Sequence, residues 1–315
     1  NLTARNPAGN TPLHAAARHG GLKALPPGLL TAGLLALRNA AGYTPIHHAA
    51  QGGHLDEVPR ELITREALRS RSNAGFTVWH LAAGSGHLAQ LPPELVDEEA
   101  FAEKTEVGNT PVHEAAENGA LDGVPARFVT AASLAGKNLA GETALHVAAF
   151  NGHLDQVPRA FLTVATMRET TGAGDTVFHA AAISGHLDQI PVEMLTRDNL
   201  VLASKTGFTA IHAAAETGQL DRIPLERLTA ELMMTRNDNG DTPLHAAAFA
   251  GHLDQVPPEI LTPARLAARN YEGLSVLQTA ADRGFLTQLP EAVRPKPVSA
   301  LRRFLRKVAG VRDRF

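Results

Sequence analysis

The sequence predicts an all-α solenoid of nine 33-residue units with short β-turn or hairpin loops between them. Three observations carry this. Thr-x-x-His recurs so that His14, His47, His80, His113, His146, His179, His212 and His245 stand 33 residues apart without insertion or deletion. A glycine keeps the same period through Gly9, Gly42, Gly75, Gly108, Gly141, Gly174, Gly207, Gly240 and Gly273. So does a proline, through Pro26, Pro59, Pro92, Pro125, Pro158, Pro191, Pro224, Pro257 and Pro290. A fixed period between about 20 and 50 residues marks a stacked repeat architecture. Such a fold offers a long surface of equivalent positions rather than one enclosed cleft.

Asn39 to Arg71 represents the unit. Three residues before the turn glycine stands Asn, Ser or Thr (Asn6, Asn39, Ser72, Thr105, Asn138), whose short side chain closes a turn on the backbone. Glycine then supplies a positive φ. Thr44-Pro45 starts a helix, with Thr as N-cap and Pro at the first helical position. The helix carries two adjacent alanine columns, one through Ala16, Ala49 and Ala82 and one through Ala17, Ala50 and Ala83, and small side chains let neighbouring helices approach. Gly53 ends it at a position expected to be left-handed. Leu13, Ile46, Trp79, Val112, Leu145, Phe178, Ile211, Leu244 and Leu277 form the apolar stacking column.

These features resemble the ankyrin repeat, whose consensus reads G-x-TPLH-x-AA-x-x-GH-L over 33 residues. Gly240-Asp241-Thr242-Pro243-Leu244-His245-Ala246-Ala247-Ala248-Phe249-Ala250-Gly251-His252-Leu253 is nearly that pattern verbatim. The resemblance covers residues 6–293. It implies an ankyrin-like solenoid, a histidine that bonds to backbone and to the motif threonine to lock unit to unit, and partners bound at turn tips and on the inner helix face. Residues 1–5 read as the end of a preceding repeat or a truncated N-terminus, and 294–315 as a basic amphipathic helix and tail.

The second half of each unit departs from the family. Proline inside a helix costs about 3 kcal/mol. Leu55-Asp56-Glu57-Val58 is therefore expected to form one short helical turn, followed by a Pro-started segment and a final helix ending near Arg71. That helix is capped at Thr31, Thr64, Asp97, Thr130, Thr163, Thr196, Thr229 or Thr262, all N-cap formers. Leu68, Phe101, Leu134, Met167, Leu200, Met233 and Leu266 should turn it towards the core. The last unit reads Ser275-Val276-Leu277-Gln278, as expected of a degenerate terminal repeat.

Composition narrows the function. The formal net charge is −3, with an excess of six positive charges from Glu291 onward balanced by nine negative ones elsewhere, which argues against general nucleic-acid affinity of the body. There is no cysteine, so disulfides, thiolate catalysis and thiolate metal sites are excluded. This fits a reducing compartment, and the expected location is the cytoplasm, with a secreted effector as the alternative. G-x-S-x-G, a phosphate-cradling glycine loop and H-E-x-x-H are all missing from the sequence. No catalytic set, cofactor, metal site or small-molecule substrate is expected, and the chain is read as non-enzymatic.

The histidine columns, including the loop position His54, His87, His153, His186 and His252, are spread one per unit, too far apart for shared ligation at zinc–nitrogen distances of about 2.0–2.1 Å. Asp56, Asp122, Asp155, Asp188, Asp221 and Asp254 are expected to act on a helix dipole, with a calcium or cationic-partner stripe as the alternative. Arg5, Arg38, Arg71, Lys104, Lys137, Arg236 and Arg269 are expected to salt-bridge neighbouring units, with an anionic-ligand groove as the alternative.

The variable positions point to binding. The chain has one Trp, two Tyr and 11 Phe. Tyr43, Phe76 and Phe208 stand before the motif threonine, whereas Phe150, Ile183 and Phe249 stand on the inner helix. Exposed aromatics are common interface anchors, so these six are the candidate residues for a protein partner on the concave face. The basic tail residues Arg302, Arg303, Arg306 and Lys307 are candidate anionic contacts. The tail is read as a cover for the last unit, or else as an attachment to a membrane surface or nucleic acid. The leading reading is a protein-interaction scaffold. The alternatives are a targeting module of a larger effector or enzyme whose other domain lies upstream, or a membrane or nucleic-acid adaptor acting through the tail.

Overall fold

Each repeat begins where the chain reverses at glycine. In the second repeat Asn39 Oδ1 accepts hydrogen bonds from the N–H groups of Ala41 and Tyr43 at 3.1 and 2.9 Å, and Gly42 adopts φ +80°. A Cβ on Gly42 would also stand 2.8 Å from the backbone nitrogen of Asn73. Glycine is thus required both by its backbone conformation and by the approach of the next turn. The turns link to one another directly: Ala40 N–H donates to Ala8 O (3.1 Å), Asn73 N–H to Ala41 O (2.9 Å), Glu106 N–H to Ala74 O (3.0 Å) and Leu139 N–H to Val107 O (2.9 Å).

The computed structural model describes residues 2–26 and 28–295. The basic tail with Arg302, Arg303, Arg306 and Lys307 lies outside the described residues. The chain forms two compact units, Asn1–Met194 and Leu195–Phe315, each of which repeats the same local construction. The described residues contain α-helices and 3-10 turns and no β-strand; isolated bridges such as Lys137 to Thr143 and Arg269 to Ser275 pin the stems of the turns. No helix among them is long and apolar enough to cross a membrane.

The inner helices span Pro12–His19, Pro45–Gly52, Val78–Gly84, Pro111–Glu117, Ala144–Asn151 and Val177–Ser184 in the first unit, and Ala210–Thr217, Pro243–Ala250 and Val276–Arg283 in the second. Within each unit successive inner helices pack against one another. The two alanine columns face opposite neighbours. Ala16 of the first repeat is half-buried and Ala17 is fully buried, whereas in the last repeat Ala280 is buried and Ala281 exposed. The first column therefore meets the preceding repeat and the second column the following one. Leu13, Ile46, Trp79, Val112, Leu145 and Phe178 are all buried in the first unit, as are Ile211 and Leu244 in the second, and only Leu277 on the final repeat is half-buried.

Histidine does the locking. The Thr44 N–H donates to His47 Nδ1 at 3.1 Å, and the Thr44 side chain completes a capping box at the helix start. Nδ1 is therefore the acceptor, and the ring proton sits on Nε2. Nε2 donates within its own repeat to Ser70 O (2.9 Å) and across the repeat boundary to Phe76 O (3.2 Å). The same bond runs from His14 to Tyr43 O, His80 to Asn109 O, His113 to Glu142 O and His146 to Asp175 O in the first unit. In the second it runs from His212 to Asp241 O and from His245 to Leu274 O.

The outer arm is broken as expected. A 3-10 turn Leu55–Glu57 is followed by extended Val58, Pro59 (φ −51°, ψ 131°), a second 3-10 turn Arg60–Leu62, and a helix Arg65–Arg69 that stops slightly short of Arg71. A residue before proline is pushed out of the helical region, and here it uses its extended backbone to bury itself: Val58, Leu91, Val124 and Val157 are all in the core. Thr64 Oγ1 accepts from Ala67 N–H and Asp97 from Ala100 N–H. Thr196 is an exception, with no side-chain cap bond, and in the seventh repeat the final helix tightens into a 3-10 turn, Leu232–Met234. Leu68, Phe101, Leu134, Met167, Leu200, Met233 and Leu266 are buried.

Two expectations need correction. The acidic column sits on three-residue 3-10 turns, too short to sum a helix dipole; Asp56 pairs instead with Lys23 at 2.7 Å. The basic column binds chiefly backbone carbonyls rather than acids. Arg5 donates to Gly9 O and Arg38 O (3.0 and 2.5 Å), Lys137 to Thr170 O (2.8 Å), and Arg236 to Gly240 O and Arg269 O (2.6 and 2.9 Å). Arg71 and Lys137 also meet Glu103 and Glu169 at 3.1 Å each.

A further column was not recognised from the sequence. Gln90 Oε1 accepts from Leu55 N–H (2.9 Å) while its Nε2 donates to Gly53 O (2.7 Å). Gln156, Gln189, Gln255 and Gln288 repeat both bonds one repeat back. Each glutamine satisfies an orphaned donor and an orphaned acceptor at a helix end.

Two outcomes follow for stability. Replacing His80 by Ala strands the buried Thr77 amide and removes one of two donors to the Asn109 carbonyl, which keeps the Thr105 N–H, a loss of about 1–3 kcal/mol at neutral pH measurable by urea unfolding. Burial lowers His47 and His80 from 6.5 to about 4. The unfolded chain then binds protons between those values that the folded chain refuses, so stability falls as pH drops from 6.5 towards 4. The His80→Ala variant should show a shallower acid slope than the parent chain.

Candidate functional site

The capping histidines fix one edge of the inner surface, because the residue before each motif threonine has its carbonyl held by the histidine of the preceding repeat. Its side chain is left free to vary. Tyr43 and Phe76 occupy two successive such positions and are half-buried. The Tyr43 ring lies edge-on to His47 at 5.6 Å and tilts against Phe76 at 6.4 Å, while Phe76 meets His80 at 6.1 Å. These two candidates lie together as an aromatic pair.

Phe150 and Ile183 lie further along the same unit, on successive inner helices. Both are exposed, and both line one groove of about 820 Å³ that crosses the fourth, fifth and sixth repeats. Val107 and Leu139, at the turn tips, line it too. The fractional exposures are 80 % for Leu139, 57 % for Val107, 54 % for Phe150 and 43 % for Ile183, so large apolar side chains converge here without a cover. Neither Val107 nor Leu139 was singled out from the sequence. The available clue for Val107 was an aliphatic residue where other repeats carry Ala, as at Ala41 and Ala74; Leu139 stands one position earlier, where the column already varies through Ala40, Asn73 and Glu106.

In the second unit Phe208 packs on His212 with ring centroids 5.4 Å apart, and Phe249 lies beneath the guanidinium of Arg283 at 3.6 Å. Both line a smaller groove of about 270 Å³ with Glu216, Asp241, Glu272 and Leu274. The six candidate residues thus fall into an aromatic pair and a groove pair in the first unit and one grooved pair in the second.

The groove of the first unit has a polar floor held in one chain of hydrogen bonds. Asn109 Nδ2 donates to Glu114 Oε1 at 3.0 Å, and Asn138 Nδ2 donates to Asn109 Oδ1 at 3.0 Å and to Glu142 Oε2 at 2.9 Å. Glu106, Glu117, Glu142 and Asp175 line it, and no Lys or Arg does. Burial pushes the Glu114 carboxyl up from 4.5 to about 7, with the neighbouring Glu117 charge adding to the rise. Among the described residues no three His, Cys, Asp or Glu side chains come together as a metal ion would need.

The construction of turn, capped inner helix and histidine lock repeats throughout both units, and the ankyrin repeat family profile matches residues 140–162 and 239–271. Both matched segments are ankyrin repeats. A search of the curated proteins gives no match. Ankyrin repeats are in general protein–protein interaction modules and typically non-enzymatic. The inner surface of the first unit carries apolar side chains in the open, backed by a hydrogen-bonded polar floor.

Glu114 offers a test of that floor. Its folded carboxyl keeps a proton that the unfolded chain releases near 4.5, so stability declines as pH rises from 4.5 to 7 and the decline is complete above 7. Glu114→Gln retains an acceptor for Asn109 and removes the ionisation, and should stabilise the chain at pH 8 by on the order of 2–3 kcal/mol. The gain should shrink several-fold at pH 5 when thermal or urea midpoints are compared.

Proposed function

We propose that the chain is a non-enzymatic scaffold that holds a protein partner against the inner helices and turn tips of its ankyrin repeats. One observation carries this reading: Val107, Leu139, Phe150 and Ile183 are large, apolar, uncovered and gathered in one groove. Single exposed apolar residues are ordinary on a protein surface, whereas a contiguous set rimmed by polar groups marks an interaction site. The repeats supporting the groove are fixed by backbone and capping bonds that involve none of these four side chains, so binding orders little of the scaffold. Phe150 and Ile183 serve as the central anchors. Tyr43 and Phe76, and in the second unit Phe208 and Phe249, extend the contact surface.

The same independence makes the reading testable. Phe150→Ala with Ile183→Ala should leave the unfolding midpoint within about 1 kcal/mol of the parent, as is usual for exposed sites. It should weaken a directly verified partner by tenfold or more, as expected on truncating two interface anchors at about 1–2 kcal/mol each. Unchanged affinity for that partner, with the fold intact, removes the groove from the interface.

A further inference from the structure

We propose that the occupant of the groove in the first unit is an extended, cationic-apolar polypeptide segment: Lys or Arg side chains interspersed with large aliphatic or aromatic ones. This rests on the scaffold reading and adds the chemistry of the partner. The groove is apolar along its two walls, with Val107 and Leu139 at the turn tips and Phe150 and Ile183 on the helices. Every ionisable side chain with a fixed charge that lines it is an acid, namely Glu106, Glu117, Glu142 and Asp175. Glu106 and Glu117 are exposed, and Glu142 and Asp175 half-buried.

The basic residues of the same stretch are used elsewhere. Lys137 donates to Thr170 O and pairs with Glu169, Arg159 pairs with Glu193 at 2.6 Å, and the Arg127 guanidinium donates to Val96 O and lies over the Phe128 ring. Neither these nor Arg168 line the groove, and the ion pair to a lining acid from outside it is the long one from Arg71 to Glu106 at 3.9 Å. An acidic or neutral segment entering here would desolvate these carboxylates without compensation, and juxtaposed like charges disfavour a partner strongly. A cationic segment relieves their mutual repulsion while its apolar residues cover the exposed walls.

The second unit pairs apolar and acidic side chains in the same way, with Phe208, Phe249 and Leu274 beside Glu216, Asp241 and Glu272, but there the Arg283 guanidinium already lies over Phe249 at 3.6 Å. The first repeat shows that the bias is local, because its inner surface carries Arg5, Arg18 and His19 instead.

A displayed library of random linear peptides, panned against the full chain, tests the proposal. The recovered peptides should be enriched in Lys or Arg adjacent to large apolar residues. A synthetic peptide of the consensus should bind at least about tenfold more weakly to a Glu106→Lys, Glu117→Lys variant, and about tenfold more weakly to the parent at 500 mM than at 50 mM NaCl. Both substituted positions are exposed, and native unfolding midpoints confirm that the variant folds. Peptides that need Phe150 and Ile183 but show no cationic enrichment overturn this inference and leave the scaffold reading standing. Peptides indifferent to Phe150→Ala, Ile183→Ala and to the charge reversal overturn both. Failure to recover any peptide overturns the extended-segment occupant. Binding of a synthetic peptide of residues 296–315 in the same groove, as tightly as the consensus peptide, overturns an external partner in favour of the chain's own tail.

Discussion

The structure depends on one neutral imidazole per repeat that serves two masters. Its Nδ1 accepts the amide of its own cap, and its Nε2–H reaches a carbonyl of the next repeat, as His47 does between Thr44 and Phe76. The bond accepted at Nδ1 requires the uncharged ring, and burial keeps it uncharged by lowering its proton affinity. A hydrogen bond inside a poorly polarisable interior is both stronger and costlier to lose than one in water. Registry between repeats is thus anchored at the base of each turn, and the side chains at the turn tips and on the inner helix surface beyond it are free to diverge.

The rest of the lattice is redundant in a useful way. The turn-to-turn amide bonds, the glutamine bridges and the arginine contacts to carbonyls all cross the same boundary and are mostly side chain to backbone or backbone to backbone. They depend little on what the variable side chains are. The proline in each outer arm has a comparable effect. It stops the arm from continuing as a helix and turns the preceding residue inward, so that Val58 and its counterparts bury themselves from an extended backbone. The core is complete without the inner face. Hydrophobic side chains such as Leu139 and Phe150 can then remain uncovered without weakening the fold.

The charge of that inner face is set by neighbours that do not belong to any repeat motif. Glu114 is held at the floor by Asn109, and its carboxyl titrates near neutrality because water is kept away and Glu117 stands one turn on.

Much of the fold was legible from the sequence because it obeys a period. The turn glycines, the threonine caps, the alanine columns and the proline break are each stated nine times or nearly so, and each is a local rule of backbone geometry that holds wherever the residue stands. The bridging glutamines keep the same register in five units, yet Gln90 and Gln156 look like ordinary polar surface until the amide and carbonyl they join are seen one repeat away. The same applies to the candidate site. Phe150 and Ile183 stood out as variable apolar residues at an inner-helix position, whereas Val107 and Leu139 did not, and nothing in one dimension distinguished Phe249, roofed by Arg283, from Phe150, which is open. The sequence by itself determined the repeat, since this follows from local conformation and spacing, while the histidine lock was what the ankyrin resemblance implied. Only the tertiary structure decided which side chains share a groove and which charges reach it, because both depend on distances between residues that the chain keeps tens of positions apart.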